Sequence, residues 1–402
     1  MPLRTEKPRL PVRLLSSSLR DQPVSSLAEP VLEAFEAATG VVLVPTDVLP
    51  QGRGLAALLL TGGTEARLLE LAAGTPGPVL VLTHGAHNSL PAGLEAVARL
   101  RREGRPVRLV HLEDEVGRRE LPALARAFGL AQALSGKRVG LIGKPSPWLV
   151  ASSPDPEVLQ TKLGIELVEL PLKEVLGRLP REASLAEGPG EGIGPEARTM
   201  GPRVEAALAE LVAELGLDAI SVACFGLLPY GLTACWALAR LADQGTPAGC
   251  EGDLVGLLAL IVAQELTMGP GFLANPARVD VRGERLVLAH CTVPLSLTGE
   301  FRLRTHFESG TGLAIAGELV PGPYTLVRFG GPRLEEAFIV EGTVLSERPG
   351  REDLCRTQVT FKAPRGALRK LLREPLGNHH VLIPGLHREV LAAFHSLFLA
   401  EG

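Results

Sequence analysis

Three short segments hold residue types that together suit a divalent cation: Cys250-Glu251-Gly252-Asp253, Phe272-Leu273-Ala274-Asn275 and Gly377-Asn378-His379-His380. They offer carboxylates, an amide oxygen and imidazoles, and a metal joined to a carboxylate is common equipment for moving protons on a sugar. Asp253 stands directly ahead of the apolar run 254–263 and fits a helix N-cap, its carboxylate accepting N–H groups of the first turn. Glu251 projects from the loop before that cap, where α/β proteins place ligands, although a loop Glu taken alone is a solvated side chain. Asn275, just ahead of Pro276, reads either as a turn residue bonding its own backbone or as a neutral, weak ligand. His379 and His380 are adjacent, so in a strand they point to opposite faces and at most one of them readily serves a given metal. His290, followed by Cys291 at a strand end, is a further candidate that by itself reads as a core histidine. His84 and His87 also follow a strand, but capping of the next helix by Asn88 or Ser89 is the simpler account of that segment.

The elements that must carry these residues are legible from periodicity. Short apolar runs at 79–83 and 107–112 flank an amphipathic stretch at 90–102, which is a βαβ unit and implies a parallel sheet covered by helices. A polar break at Ser135-Gly136-Lys137 opens a second unit with strands at 138–143, 165–170 and 218–224 and a helix at 204–215 ended by Gly216. Between them, 183–201 is rich in Gly, Pro and Glu and reads as an exposed, mobile loop. After Gly269-Pro270-Gly271 strand signals follow in series, at 285–290, 313–315, 324–328 and 336–344, as expected for a mostly antiparallel barrel or sandwich. The tail at 387–400 reads as an amphipathic helix. The expected organisation is therefore two Rossmann-like parallel-sheet α/β domains, 1–134 and 135–268, and a β-rich domain with a terminal helix, 269–402.

Composition excludes several classes. With 41 Lys+Arg against 45 Asp+Glu the net charge is −4, which gives no pull toward nucleic acid or an anionic membrane. The run 254–263 falls short of the roughly 20 apolar residues that a bilayer needs and reads as a buried helix. Five widely spaced cysteines without a C-x-x-C pair fit a reduced, cytoplasmic chain, and the charged, proline-bearing start is unlike a secretory signal. The Gly188-x-Gly190-x-Gly192-x-Gly194 run lacks a preceding strand and a directly following apolar helix, so it is no dinucleotide fingerprint. Walker, G-x-S-x-G and H-E-x-x-H motifs are absent from the sequence.

In order along most of the chain, several motifs resemble the L-fucose isomerase and L-arabinose isomerase superfamily, especially its shorter fucose-isomerase-like members. They are Thr61-Gly62-Gly63-Thr64-Glu65, His87-Asn88-Ser89-Leu90-Pro91, Gly140-Leu141-Ile142-Gly143 with Pro145-Ser146-Pro147-Trp148, Cys250-Glu251-Gly252-Asp253, His290-Cys291, Pro321-Gly322-Pro323 with Thr325-Leu326, and Gly377-Asn378-His379-His380. The resemblance implies aldose–ketose isomerisation of a small sugar through an enediol, assisted by Mn2+, in a homotrimer or homohexamer. It also implies that Glu251, a second acid further along and a C-terminal His hold the metal, which points to Glu251, Asn275 and His379. Glu251 and Asn275 then stand at the catalytic positions, with Asn378, His290 and His380 as substrate-binding candidates. Asn275 departs from the pattern, because an amide cannot act as a base at neutral pH. The alternative expectation is a catalytically degenerate relative that binds a sugar-like ligand without turnover.

Overall fold

The computed structural model describes residues 7–17, 24–48, 54–152, 154–190 and 192–400. Residues 1–6, which carry most of the segment judged unlike a secretory signal, lie outside the described residues, as does Glu191 of the glycine-rich stretch. The chain forms two compact units, one of residues 1–136, 161–164 and 389–402 and the other of residues 137–160 and 165–388.

In the first unit five parallel strands lie in the order Val42–Pro45, Arg9–Leu15, Leu55–Leu59, Val79–Thr83, Val107–His111. Leu55–Leu59 and Val79–Thr83 are buried at every position, as strands covered on both faces must be, and this is why they read as unbroken apolar runs. The helix after Val79–Thr83 spans Ser89–Arg102 with Asn88 at its N-cap position in the left-handed region, yet Asn88 makes no capping side-chain bond. Ser89 does not cap either: its hydroxyl donates to Leu59 O (2.5 Å) and accepts from His84 N (3.1 Å), tying the helix start to two strand ends. Residues 389–402 belong to this unit, where Phe398 meets Phe128 edge-on at 5.3 Å.

The second unit contains a four-stranded parallel sheet and a closed barrel. The sheet order is Glu166–Leu170, Arg138–Ile142, Ala219–Val222, Ala248–Cys250. The barrel runs Phe272–Asp280, Arg285–His290, Thr357–Lys362, Glu336–Val344, Gly322–Gly330, His380–Pro384 and back to the first strand, with every neighbouring pair antiparallel. Leu254–Thr267, the expected buried helix, packs on the last two sheet strands and on barrel strands Gly322–Gly330 and His380–Pro384. Ten successive buried residues, Leu254 to Ala263, are what covering on all sides demands. A Cβ at Gly256 would stand 2.8 Å from Leu273 Cδ1, so glycine sets how closely helix and barrel approach.

Two expectations fail in this unit. Asn275 is not in a turn: it lies inside Phe272–Asp280, paired with Ala289, and the irregularity near Pro276 is absorbed as a register shift between Pro276 and Arg278. The stretch 183–201 is not a free loop either. A helix spans Pro195–Leu215, Arg198 donates to the carbonyls of Ala186, Gly188, Gly190 and Ile193, and Pro189 O accepts from Leu303 N at 2.7 Å. Two of its glycines have a packing reason, since a Cβ at Gly188 or Gly190 would press on Phe301 or Leu303. Gly201-Pro202 concealed the first turns of that helix by interrupting the apolar period.

Candidate metal centre

Glu251 and Trp148 come from the carboxyl ends of parallel strands, the side of an open α/β sheet where ligand crevices form. Ala248–Cys250 ends directly before Glu251, and Arg138–Ile142 leads through Gly143 to Pro145-Ser146-Pro147-Trp148. The two turns are joined by Ser146 N donating to Glu251 O at 2.9 Å. Gly252 adopts φ +72° where a Cβ would stand 2.8 Å from Pro145 Cα, so the close approach requires glycine. Glu251 itself has φ +63°, a conformation that a non-glycine residue holds only under constraint. Its carboxylate accepts the indole N–H of half-exposed Trp148 at 2.6 Å through Oε2, and Oε1 lies 3.6 Å from His379 Nε2.

The imidazoles arrive from the barrel. His290 ends the strand Arg285–His290, and its Nδ1 is 2.8 Å from Thr292 Oγ1. His379 precedes the strand His380–Pro384, its backbone N–H donating to Asn378 Oδ1 at 2.8 Å. Donor atoms of Glu251, His290 and His379 all lie within 4.8 Å of one another, and all three residues are buried.

Asp253 fulfils the capping reading, with Oδ1 accepting from Gly256 N at 2.7 Å, and its other oxygen stands 2.9 Å from His379 Nδ1. A carboxylate only accepts, so Nδ1 carries the proton and Nε2 is turned toward Glu251 and His290. Behind this pair is Arg328, 1% exposed, with Nη1 3.6 Å from Asp253 Oδ2. The guanidinium also donates to Leu376 O (2.9 Å), His379 O (2.5 Å) and Ser152 Oγ (2.8 Å). Gly377 is needed beside it, because a Cβ there would collide with the guanidinium.

These contacts set the protonation states. Burial disfavours charge on His379, but Asp253 and Glu251 outweigh it and push its pKa up to about 9. Burial likewise opposes ionisation of Glu251 and Asp253, yet His379 holds both carboxyls below their usual range, helped by Trp148 for Glu251 and by Arg328 for Asp253. Burial, then the charge of His379, lowers His290 to about 4, which leaves it neutral.

Asn275 Oδ1 is buried without a hydrogen-bond partner, as are His379 Nε2 and His380 Nε2. Asn275 stands one residue beyond the registered pair Ala274–His380, which brings its backbone alongside His379. His380 turns elsewhere: Nδ1 is 3.1 Å from Asn378 O, and the ring meets Phe338 edge-on at 5.5 Å. One carboxylate and two imidazoles with an unsatisfied nitrogen between them are a donor set that fits a divalent cation of borderline hardness. Sequence reasoning named Glu251, Asp253, His290 and His379 and quoted Trp148 only within a motif, and it missed the supports Thr292, Ser152 and Arg328. Arg328 had a readable signal, a lone charge in the otherwise apolar stretch Leu326 to Phe329.

The molecule is thus an α/β protein with an attached antiparallel barrel and a Glu-His-His cluster at strand ends. No protein-family model matches the chain. It is similar to the sulfoquinovose isomerase of Alkalicoccus urumqiensis, 24% identical over 320 residues that cover 74% of this chain and 71% of that one. It is also similar to the sulfoquinovose isomerases of Priestia megaterium (strain ATCC 12872 / QMB1551), 22% identical over 221 residues, and of Clostridium sp. (strain MSTE9), 27% over 169 residues. Those two alignments cover 51% and 38% of this chain, and 49% and 36% of the relatives. Among the described residues no helix is long and apolar enough to cross a membrane.

Proposed function

We propose that the protein is a metal-dependent sugar isomerase that interconverts an aldose and a ketose through an enediol. The observation that carries this reading is the convergence of Glu251, His290 and His379 within 4.8 Å, with His379 Nε2 buried and unsatisfied. The similarity to sulfoquinovose isomerases supports the same reaction class and makes sulfoquinovose the first sugar to test. A divalent cation such as Mn2+, held by Glu251, His290 and His379, would polarise the carbonyl and adjacent hydroxyl oxygens of the sugar and stabilise charge as a proton leaves carbon.

The chain's own residues then have separate tasks. Glu251 serves as ligand and as a proton acceptor toward a sugar hydroxyl, and the exposed face of Trp148 beside it offers a flat apolar surface to the sugar's C–H groups. Asp253 and Arg328 fix the tautomer and direction of His379. Asn275 hydrogen-bonds or ligates without taking a proton. Of the residues expected to touch the sugar, Asn378 remains the candidate, with His290 taken up as a ligand and His380 turned toward Phe338, in a cytoplasmic homotrimer or homohexamer.

The test is metal analysis of the purified protein followed by incubation with Mn2+ and sulfoquinovose or neutral aldoses, with ketose detected by NMR. Bound metal and ketose formation are expected; no ketose from any sugar would sink the reading. Asn275 itself favours a second reading, a sugar-binding relative without turnover. That reading predicts turnover only after Asn275→Asp, whereas an isomerase is active as it stands and gains roughly tenfold metal affinity from the added charge.

A further inference from the structure

Isomerisation moves one proton between C2 and C1 and another between O1 and O2, so two relays are needed, and the centre described supplies one available carboxylate. Glu251 Oε2 is engaged by the Trp148 indole, and Asp253 is spent on Gly256 N and His379. Asn275 has no basic atom. We propose that Glu308, on a hairpin loop anchored to the neighbours of the centre, is the second carboxylate and relays the proton between C2 and C1 of the substrate. The proposal rests on the isomerase reading.

Placement carries it. Loop 305–313 joins the paired strands Thr298–Arg304 and Ala314–Leu319. It is closed on itself by His306 N to Thr311 O (2.9 Å), Gly310 N to His306 O (2.9 Å) and His306 Nδ1 with Ser309 Oγ (3.0 Å). The buried His306 ring meets Phe225 edge-on at 5.8 Å, and Phe225 meets Trp148 at 4.8 Å, the residue bonded to Glu251. Phe307 packs on the cluster of Cys235, Cys291 and Ala314, and Cys291 directly follows His290. Two successive residues are thus anchored, one toward the carboxylate side of the centre and one toward its imidazole side. Glu308 comes next, exposed but close enough for the charges of His306, Glu251 and Cys291 to act on it. Partial burial, with the like charge of Glu251 adding to it and His306 opposing, raises its pKa above the usual carboxylate range, which makes it a better proton acceptor than Glu251.

In the step, the Glu308 carboxylate takes the proton from C2. The C2–H pair becomes the C1–C2 double bond as O1 takes the proton that Glu251 draws from O2, giving the enediolate. The charge on O2 then closes to C2=O, while the double-bond pair takes the proton from Glu308 at C1. Nothing is oxidised or reduced by an outside partner, and Glu308 ends as it began.

The experiment compares full-length Mn2+-loaded wild type, Glu308→Gln and Glu308→Asp, on whichever sugar of the panel the wild type converts. Turnover is read by NMR in D2O, with Mn2+ affinity measured alongside. For Glu308→Gln, kcat should fall about 10²–10⁴-fold with Mn2+ affinity and KM within about threefold of wild type, and the acid limb of the kcat–pH profile should disappear. Glu308→Asp should recover part of the loss. A fall below about 100-fold, or a fall accompanied by loss of metal, overturns the assignment. A wild type that converts no sugar overturns the isomerase reading and Glu308 with it; an active wild type matched by Glu308→Gln overturns Glu308 alone.

Discussion

His84 and His379 are both buried histidines beside strand ends, yet they are opposites in their bonding. His84 spends both ring nitrogens: Nε2 is 3.2 Å from Leu60 O, and Nδ1 accepts from Ala86 N at 3.3 Å. Burial then lowers its pKa, and it is a neutral ring stitching loop to strand. His379 spends only Nδ1, on Asp253, and presents Nε2 to Glu251 and His290. Histidine after a strand does not mark a centre; a braced ring with one free nitrogen facing other donors does.

Replacing each ring breaks the comparison most sharply. His379→Gln should weaken Mn2+ binding by at least about 100-fold by removing a ligand and leaving Asp253 and Arg328 less well paired. His84→Gln should leave Mn2+ affinity within about threefold while lowering the melting temperature, since it leaves buried backbone groups unpaired. Calorimetric titration of both variants reads this directly, and equal losses of metal would erase the distinction.

How much of this was legible in the sequence follows from how local each signal is. Parallel strands such as Val79–Thr83 and barrel strands such as Arg285–His290 declare themselves because both faces, or at least alternate positions, are buried along contiguous residues. The two α/β sheets and the antiparallel barrel were expected and are present. The turn alternative for Asn275 rested on Pro276, and only the pairing with Ala289 reveals a strand that tolerates the proline. The anchoring of 183–194 by Arg198 was invisible because those bonds go to backbone carbonyls, which no composition reports. At the centre, residue types were readable and their supports were not. Arg328 meets Ser152 across 176 positions of sequence and Asp253 across 75 (328 − 253), partnerships that only the fold creates.

The two rings should also respond to pH with opposite signs. In metal-free protein His379 keeps its proton to about pH 9, against 6.5 for an ordinary histidine. Its stabilisation is therefore complete below pH 6.5 and lost as pH rises through 9, worth about 3 kcal/mol at most. His84 is depressed, so its contribution is present above 6.5 and lost as pH falls through its folded value. Denaturant melts of EDTA-treated wild type and the two Gln variants between pH 5.5 and 9.5 should show the wild-type margin over His379→Gln shrinking with pH and the margin over His84→Gln growing. Mn2+ must displace the His379 proton, so its affinity should rise by up to tenfold per pH unit toward pH 9.

The smallest effect belongs to His380, which separates the two halves of the distinction. Like His379 it has a buried Nε2 without a partner, but it faces Phe338 and stands outside the Glu251, His290 and His379 cluster. Burial brings its pKa down to about 3, so it is neutral and offers no charge to a neighbour. If converging donors make the centre, His380→Leu removes an unsatisfied polar atom from an apolar setting. Mn2+ affinity should then stay within about threefold and stability should change by less than about 1.5 kcal/mol, because the lost imidazole bond to Asn378 O is offset by relief of that atom. If a free nitrogen alone were enough, the same substitution would cost metal affinity tenfold or more, and His380 rather than its position would have to be counted among the ligands.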